Sequence, residues 1–296
     1  MLKSTTTKWK IHIGAHKTAI TDIQNIAETK REALHSQGID YLSRSDLRKC
    51  KALAKPGSLN WRHKLNGKFL KSAFYSRIKP LRRGCDTVVI SEDNFLGWST
   101  GLLGSDFYSP TSEYLNIISA LSEETEVSVF LSIRPQVEII PSAYIEVIRS
   151  QALQGGFEGV KKEIIENPPS WLSLVRVLKS NLPNVKISVW TMKDYLQNKN
   201  AVLSHFFGID FPDFEDIKAP INTKSLSAEA ISKIELINTD VPAKKYKRQV
   251  SDIIKNNQGD TKFSPFNDSE RMMLAKQYYL DIQGIKKEFP GVLFEI

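Results

Sequence analysis

Two rhythms of apolar residues alternate along the first two thirds of the chain. Short runs at residues 8–13, 86–91, 127–133 and 185–190 have the length of strands and are rich in Val and Ile. Between them, apolar positions recur at helical spacing over 18–36, 111–121, 135–154 and 170–182, and in the first of these Ile20, Ile23, Ala27 and Leu34 share one stripe. Gly38 terminates that helix, residues 39–42 read as a short extended piece, and a basic, irregular stretch leads to a helix near 68–81. From residue 202 the pattern is helical, with segments at 202–207, 227–237, 243–256 and 268–288.

Apolar strands that alternate with helices predict an α/β fold in three layers, a mainly parallel central sheet with helices on both faces. No low-complexity linker and no internal repeat divides the 296 residues, so one domain over 1–296 is expected. In open parallel sheets, ligands bind beyond the carboxyl ends of the strands. The segments that follow residues 13, 91 and 133 are therefore the first places to look for chemistry.

Composition narrows the class. A hydrophobic content of 41% is enough for a sizeable core, and the net charge of +8 favours anionic ligands. Basic clusters at 48–55, 77–83 and 244–248 read singly as solvated faces. No RNA-recognition sheet motif, zinc finger or basic zipper accompanies them, so no nucleic-acid partner is expected. Cys50 and Cys85 are too few for a disulfide framework and show no zinc spacing; both read as reduced thiols, and no metal is expected. The first residues, MLKSTTTKWK, hold no signal peptide and no run approaches membrane-spanning length, which predicts cytoplasmic residence without a transmembrane segment.

The densest signal lies in residues 8–24, KWKIHIGAHKTAITDIQ. An apolar strand with Trp9, Ile11 and Ile13 meets a tight turn at Gly14, after which Lys17 and Thr18 open a helix. Such a junction aims unpaired backbone N–H groups and the positive end of a helix dipole at one point, where an anion can sit. Lys17 adds a full charge, and Thr18 and Thr21, three apart on the first turn, add two hydroxyl donors on one face. A second anion site is expected downstream. Strand 127–133 ends at Arg134, Pro135 suits a first helical position, and Ser142 follows on the helix, which Pro141 should kink. Arginine offers a planar fork to two phosphate oxygens, and a serine hydroxyl can close a third side.

The first loop is not an ATP-type phosphate loop, because G-x-x-x-x-G-K-[ST] would place glycines at Ile11 and His16. Its wording, His12-Ile13-Gly14, His16-Lys17-Thr18, Thr21 and Gln24, resembles the 5'-phosphosulfate loop of sulfotransferases that use 3'-phosphoadenosine 5'-phosphosulfate (PAPS). Bacterial members often read roughly H-I-G-x-H-K-T-G-T-T-x-L-Q; here Ala19 replaces a glycine and Ile20 a threonine. The Arg134 and Ser142 pair resembles the family's 3'-phosphate motif. Fainter echoes are Ser91-Glu92-Asp93 at a strand end and Asn222 with Ser225-Leu226-Ser227, whereas residues 43–83 match nothing nameable.

The resemblance implies a P-loop nucleotide-kinase-like fold whose cofactor elements lie mainly in 8–154, followed by a helical C-terminal part at 200–296. It implies a transfer of a sulfuryl group from PAPS, the co-substrate, to a hydroxyl or amine acceptor, with no metal. Gly14, Ala15, His16, Lys17, Thr18, Ala19, Ile20 and Thr21 would hold the 5'-phosphate, and Arg134 and Ser142 the 3'-phosphate. Lys17 would neutralise the departing phosphate oxygen, and Glu92 would act as general base, with Asp93 and His16 as alternatives. His12 reads as structural and His63 stays unplaced. Trp61, Phe95, Trp98, Phe107, Tyr108 and Tyr144 could offer flat faces to a ring, Phe95 and Trp98 foremost, though each singly fits a core role. The implied acceptor is a carbohydrate, a glycolipid or a small hydroxylated molecule. Two other readings stay open: a phosphate-loop kinase using Ser91-Glu92-Asp93 to hold magnesium, and a non-catalytic, degenerate sulfotransferase that binds anionic ligands.

Overall fold

A computed structural model describes residues 7–49, 72, 76, 78–109, 115–210, 225–237, 239–257, 259 and 261–295. Cys50, Trp61, His63, Asn222 and most of the helix expected near 68–81 lie outside the described residues.

Five parallel strands form the centre: β1 (Lys8–His12), β2 (Ile39–Leu42), β3 (Thr87–Ser91), β4 (Glu126–Ile133) and β5 (Lys186–Thr191), in the order β2-β3-β1-β4-β5. Side chains alternate between the two faces of a strand, and the core divides accordingly. Trp9, Ile11, Val88, Ile90, Val129, Leu131 and Val189 join one apolar cluster. Val89, Phe130 and Trp190 join another. The smaller cluster is covered by α1 (Ile20–Thr29), α2 (Arg31–Ser36), α8 (Met192–Gln197) and α9 (Lys199–Phe207), through residues such as Ile23, Leu34, Tyr195 and Phe206. The larger cluster is covered by α4 (Asn116–Ser122), α5 (Gln136–Ile148), α6 (Gly156–Glu166), α7 (Trp171–Asn181), α10 (Ala228–Glu235), α11 (Ala243–Asn256) and α12 (Asp268–Glu288). The result is a three-layer α/β architecture with helices on both faces of an all-parallel sheet. Among the described residues, no helix is long and apolar enough to cross a membrane.

Several expected boundaries shift for identifiable reasons. The first helix starts at Ile20 rather than residue 18, because Lys17 (φ 64°) and Ala19 (φ 61°) are left-handed and Ala19 becomes the N-cap. It also divides at Lys30 into α1 and α2. The segment expected over 135–154 ends at Ile148, and Gly155, with positive φ, caps a separate helix that begins at Gly156. Pro135 is the N-cap of α5, and the helix runs as one element through Pro141. Among the described residues, three helices were not expected: α6, α8, and α3 (Arg44–Lys49) inside the irregular basic stretch.

Candidate functional site

The site forms where the parallel pairing of β1 and β4 runs on past the strands. His12 is level with Phe130. Ile13 then donates its N–H to the Phe130 carbonyl at 2.9 Å, Ser132 to Gly14 at 2.6 Å, and Ala15 to Ser132 at 3.0 Å. This extension brings the loop after β1 beside Arg134. Gly14 has φ 117°, which a side-chain-bearing residue rarely adopts, so the glycine is required by the turn.

Beyond that turn the backbone changes character. None of the N–H groups of Lys17, Thr18, Ala19, Ile20 or Thr21 meets an acceptor among the described residues. Unbonded donors in a loop of alternating handedness, at the head of a helix, are the kind of backbone that can receive an anion. The hydroxyls behave differently from expectation. Thr18 is fully buried and donates Oγ1–H to the Ala15 carbonyl at 2.6 Å, bracing the loop from inside. Thr21, on α1, is exposed, so the two threonines do not share an outward face. The physical cause is the late helix start, which leaves Thr18 in the loop.

Arg134 Nη1 donates to the Lys17 carbonyl at 3.2 Å, across 117 positions of sequence. Lys17, Arg134 and Ser142 line one cleft of about 420 Å³. Of the other loop residues expected to hold a phosphate, Gly14, Ala15, Thr18, Ala19, Ile20 and Thr21 are not among the residues that line it, and Ala15, Thr18 and Ile20 are buried. The far wall is closed by Ser225, Lys262 and Phe263, and Arg149 adds a further cation from the end of α5. Two carboxylates on α5 answer these charges: Glu138 accepts from Arg134 Nε at 2.9 Å, and Glu146 lies 3.2 Å from Lys17 Nζ. Glu138, Ser142 and Glu146 follow one another at four-residue steps and so form one stripe of the helix.

A second cavity, of about 290 Å³, adjoins this cleft, with Glu146 lining both. Its other walls are His16, Arg44, Asp93, Asn94, Trp98 and Ser99. His16 is buried; its backbone N–H donates to Tyr108 Oη at 3.0 Å, and its Nδ1 lies 2.9 Å from the same oxygen. The pair is satisfied when Tyr108 donates its proton to Nδ1, which leaves Nε2–H facing Asp93 Oδ2 at 3.5 Å. Burial lowers the His16 pKa despite Asp93, so the ring is neutral at pH 7. This arrangement removes the His16 amide from the donors available to a phosphate. Tyr108 is the third non-glycine residue with positive φ, at 55°, so left-handed backbone gathers around this one region.

The expected base is placed elsewhere. Glu92 is buried and accepts the Asn94 N–H at 3.2 Å, capping the short 3₁₀ turn Asp93–Phe95. Glu92 is not among the residues lining either cavity, whereas Asp93 lines the second. Gln24 ties α1 to the same strand end by donating to the Ser91 carbonyl at 2.9 Å. His12 is buried, bonded to Ser91 Oγ at 3.0 Å, and burial brings its pKa down to about 4, in keeping with a structural role. Of the aromatics, Phe95, Phe107, Tyr108 and Tyr144 are buried, and Trp98, 50% exposed, lines the second cavity.

Glu146, Arg149 and Lys262 escaped the sequence reasoning, and Ser225 entered it only as part of a faint family echo. For Glu146 and Arg149 a signal existed, since both continue the helical stripe begun by Ser142. At the opposite end of the sheet His35, Asp40 and Cys85 bring metal-ligand atoms within 4.8 Å of one another. Asp40 Oδ2 there already accepts the N–H groups of Arg83 and Cys85, both at 3.0 Å, and Arg82 Nε stands 4.0 Å away. The carboxylate serves that turn and its arginines. Cys85 is a free cysteine, its pKa pushed up to about 11 by burial and by Asp40. Comparison with models of known protein families and with curated proteins gives no match.

Proposed function

We propose that this chain is a sulfotransferase that moves a sulfuryl group from PAPS to a hydroxyl acceptor. The observation that carries the reading is the meeting of Lys17 and Arg134, with Ser142, in one cleft beside a loop of unbonded N–H groups. Two cations that line one cleft suit a ligand with two phosphates on one nucleoside. In this reading the backbone from Lys17 to Thr21 cradles the 5'-phosphate and Lys17 neutralises charge on the departing oxygen. Arg134 and Ser142 grip the 3'-phosphate, with Arg149 and Lys262 raising the local potential. The arriving phosphates take over from Glu146 and Glu138 as partners of Lys17 and Arg134. A P-loop nucleotide-kinase-like lineage and a cytoplasmic setting belong to the same proposal. The acceptor is proposed to be a hydroxyl of a carbohydrate, a glycolipid or another hydroxylated molecule.

The test compares thermal stabilisation by adenosine 3',5'-bisphosphate with that by ATP and magnesium. Binding adds RT ln(1 + [L]/Kd) to stability, so a ligand at about 100 times its Kd adds roughly 2.7 kcal/mol. A large shift with the bisphosphate and a small one with ATP is expected. A shift with ATP and magnesium alone would reject PAPS in favour of a kinase.

A further inference from the structure

We propose that Glu146 is the base that takes the acceptor's proton, and that the cavity lined by Glu146, Asp93, Asn94, Trp98 and Ser99 receives the acceptor. The inference rests on the sulfuryl-transfer reading. Among the described residues Glu146 lines both the nucleotide cleft and this second cavity, which places its carboxylate at their junction. Its Oε2 lies 3.2 Å from Lys17 Nζ, the group assigned to the departing oxygen. It also stands one helical turn from Ser142 on α5, so one rigid element holds both relative to the nucleotide.

The other acids lack this placement. Glu92 caps a turn and borders neither cavity. Glu138 is bonded to Arg134 on the far side of Ser142 and lines the nucleotide cleft alone. Asp93 faces His16 Nε2, with a side chain only 9% exposed. Glu146, whose side chain is 45% exposed, can pass a proton on to solvent.

The step balances as follows. The acceptor oxygen forms a bond to sulfur as the bond between sulfur and the 5'-phosphate oxygen breaks, and the electron pair leaves on that phosphate oxygen. Lys17, drawn from Glu146 to the phosphate, neutralises it. The acceptor's proton goes to the freed Glu146 carboxylate and then to water.

The experiment uses the full chain as wild type, Glu146→Gln and Glu146→Asp. Binding is read by thermal shift with adenosine 3',5'-bisphosphate. Turnover is read as release of that bisphosphate from PAPS, with a panel of mono- and oligosaccharides and with water as acceptor, across pH. Glu146→Gln should bind the bisphosphate at least as well as wild type, lose about 100-fold or more in turnover, and lose the acidic limb of the pH–rate profile. Glu146→Asp should keep that limb and recover part of the rate. A Glu146→Gln variant within tenfold of wild type overturns the proposal, as does an acidic limb that Glu92→Gln or Asp93→Asn removes and Glu146→Gln does not. Wild-type binding with full Glu146→Gln turnover overturns the base alone. No wild-type shift with the bisphosphate, or no turnover with any acceptor, overturns the sulfuryl-transfer reading and the base with it.

Discussion

The loop after β1 and the turn after β4 stand side by side, each carries a cation of the cleft, and they are built in opposite ways. In the first, Lys17 and Ala19 are left-handed and the N–H groups from Lys17 to Thr21 meet no acceptor among the described residues. In the second, the Arg134 carbonyl accepts Trp171 Nε1–H at 2.8 Å, and buried Gln136 donates to Pro169 O at 3.0 Å and Asp281 Oδ2 at 2.9 Å. Asp281, buried on α12, also accepts the Trp171 N–H at 2.9 Å and the Ser170 hydroxyl at 2.6 Å. The difference follows from which part of the chain meets the ligand. A backbone that is to bind must keep its donors unbonded, and left-handed geometry costs about 1–2 kcal/mol per non-glycine residue. A side chain that is to bind can stand on a backbone anchored by bonds to its neighbours, even though Gln136 Oε1 in that anchor is buried without a partner among the described residues.

The largest effect expected from this contrast is a separation of function from stability at Lys17. Lys17→Ala should lower turnover of PAPS by about 100-fold or more, the scale seen when one charge-stabilising group is removed. Its half-exposed pair with Glu146 contributes about 1 kcal/mol at most, so the urea midpoint should hardly move. Turnover within tenfold of wild type would remove Lys17 from the chemistry.

Asp281 should behave in the opposite manner. It touches neither cavity, yet Asp281→Ala strands the buried donors of Gln136 and Trp171 and frees the half-buried Ser170 hydroxyl. A stability loss of about 3 kcal/mol in urea unfolding is expected. Bisphosphate affinity should fall as well, because the turn that carries Arg134 loses its anchor. An Asp281→Ala protein as stable as wild type would mean that the turn after β4 does not depend on its buried network.

The two regions also differed in how far the sequence disclosed them. The turn after β4 was legible because each cue is local: an apolar run that ends at an arginine, a proline at the helix entrance and a serine on the next helix. The regular helices at 243–256 and 268–288 were legible to the residue, through uninterrupted helical spacing. The loop after β1 announced Gly14 and Lys17, but not that left-handed Lys17 and Ala19 delay the helix and turn Thr18 inward. Handedness at a non-glycine residue is set by what surrounds it. Glu146 could be read from its helical step after Ser142, but its partner could not, since Lys17 approaches it from a segment far away in sequence. Helix α8 did carry a readable sign, the Thr191 and Asp194 capping box. Helix α6 was masked by the glycine pair at its start, which reads as loop.

Arg134 tests whether the anchored turn serves the cleft. Arg134→Ala should weaken adenosine 3',5'-bisphosphate by about 10- to 100-fold, the equivalent of one charged, two-pronged hydrogen-bonded contact. Adenosine 5'-phosphosulfate, which lacks the 3'-phosphate, should bind both proteins alike. An equal loss for both ligands in a competition titration would take Arg134 away from the 3'-phosphate.

The smallest effect concerns the sign of a single methyl group. At Ala19, with φ 61° and ψ 18°, the Cβ opposes the backbone conformation, and glycine relieves that conflict. The greater freedom of glycine in the unfolded chain offsets part of the gain, which leaves a net stabilisation of about 0.5–1 kcal/mol for Ala19→Gly. The same replacement at Ala143, buried inside α5, should destabilise by at least about 1 kcal/mol, since there glycine loses both helix propensity and packing. Opposite signs for the two variants in urea unfolding are what a strained binding loop beside a relaxed scaffold requires. If both destabilise, the loop after β1 holds no strain for glycine to release, and its left-handed residues cannot be the cost of keeping the N–H groups unbonded.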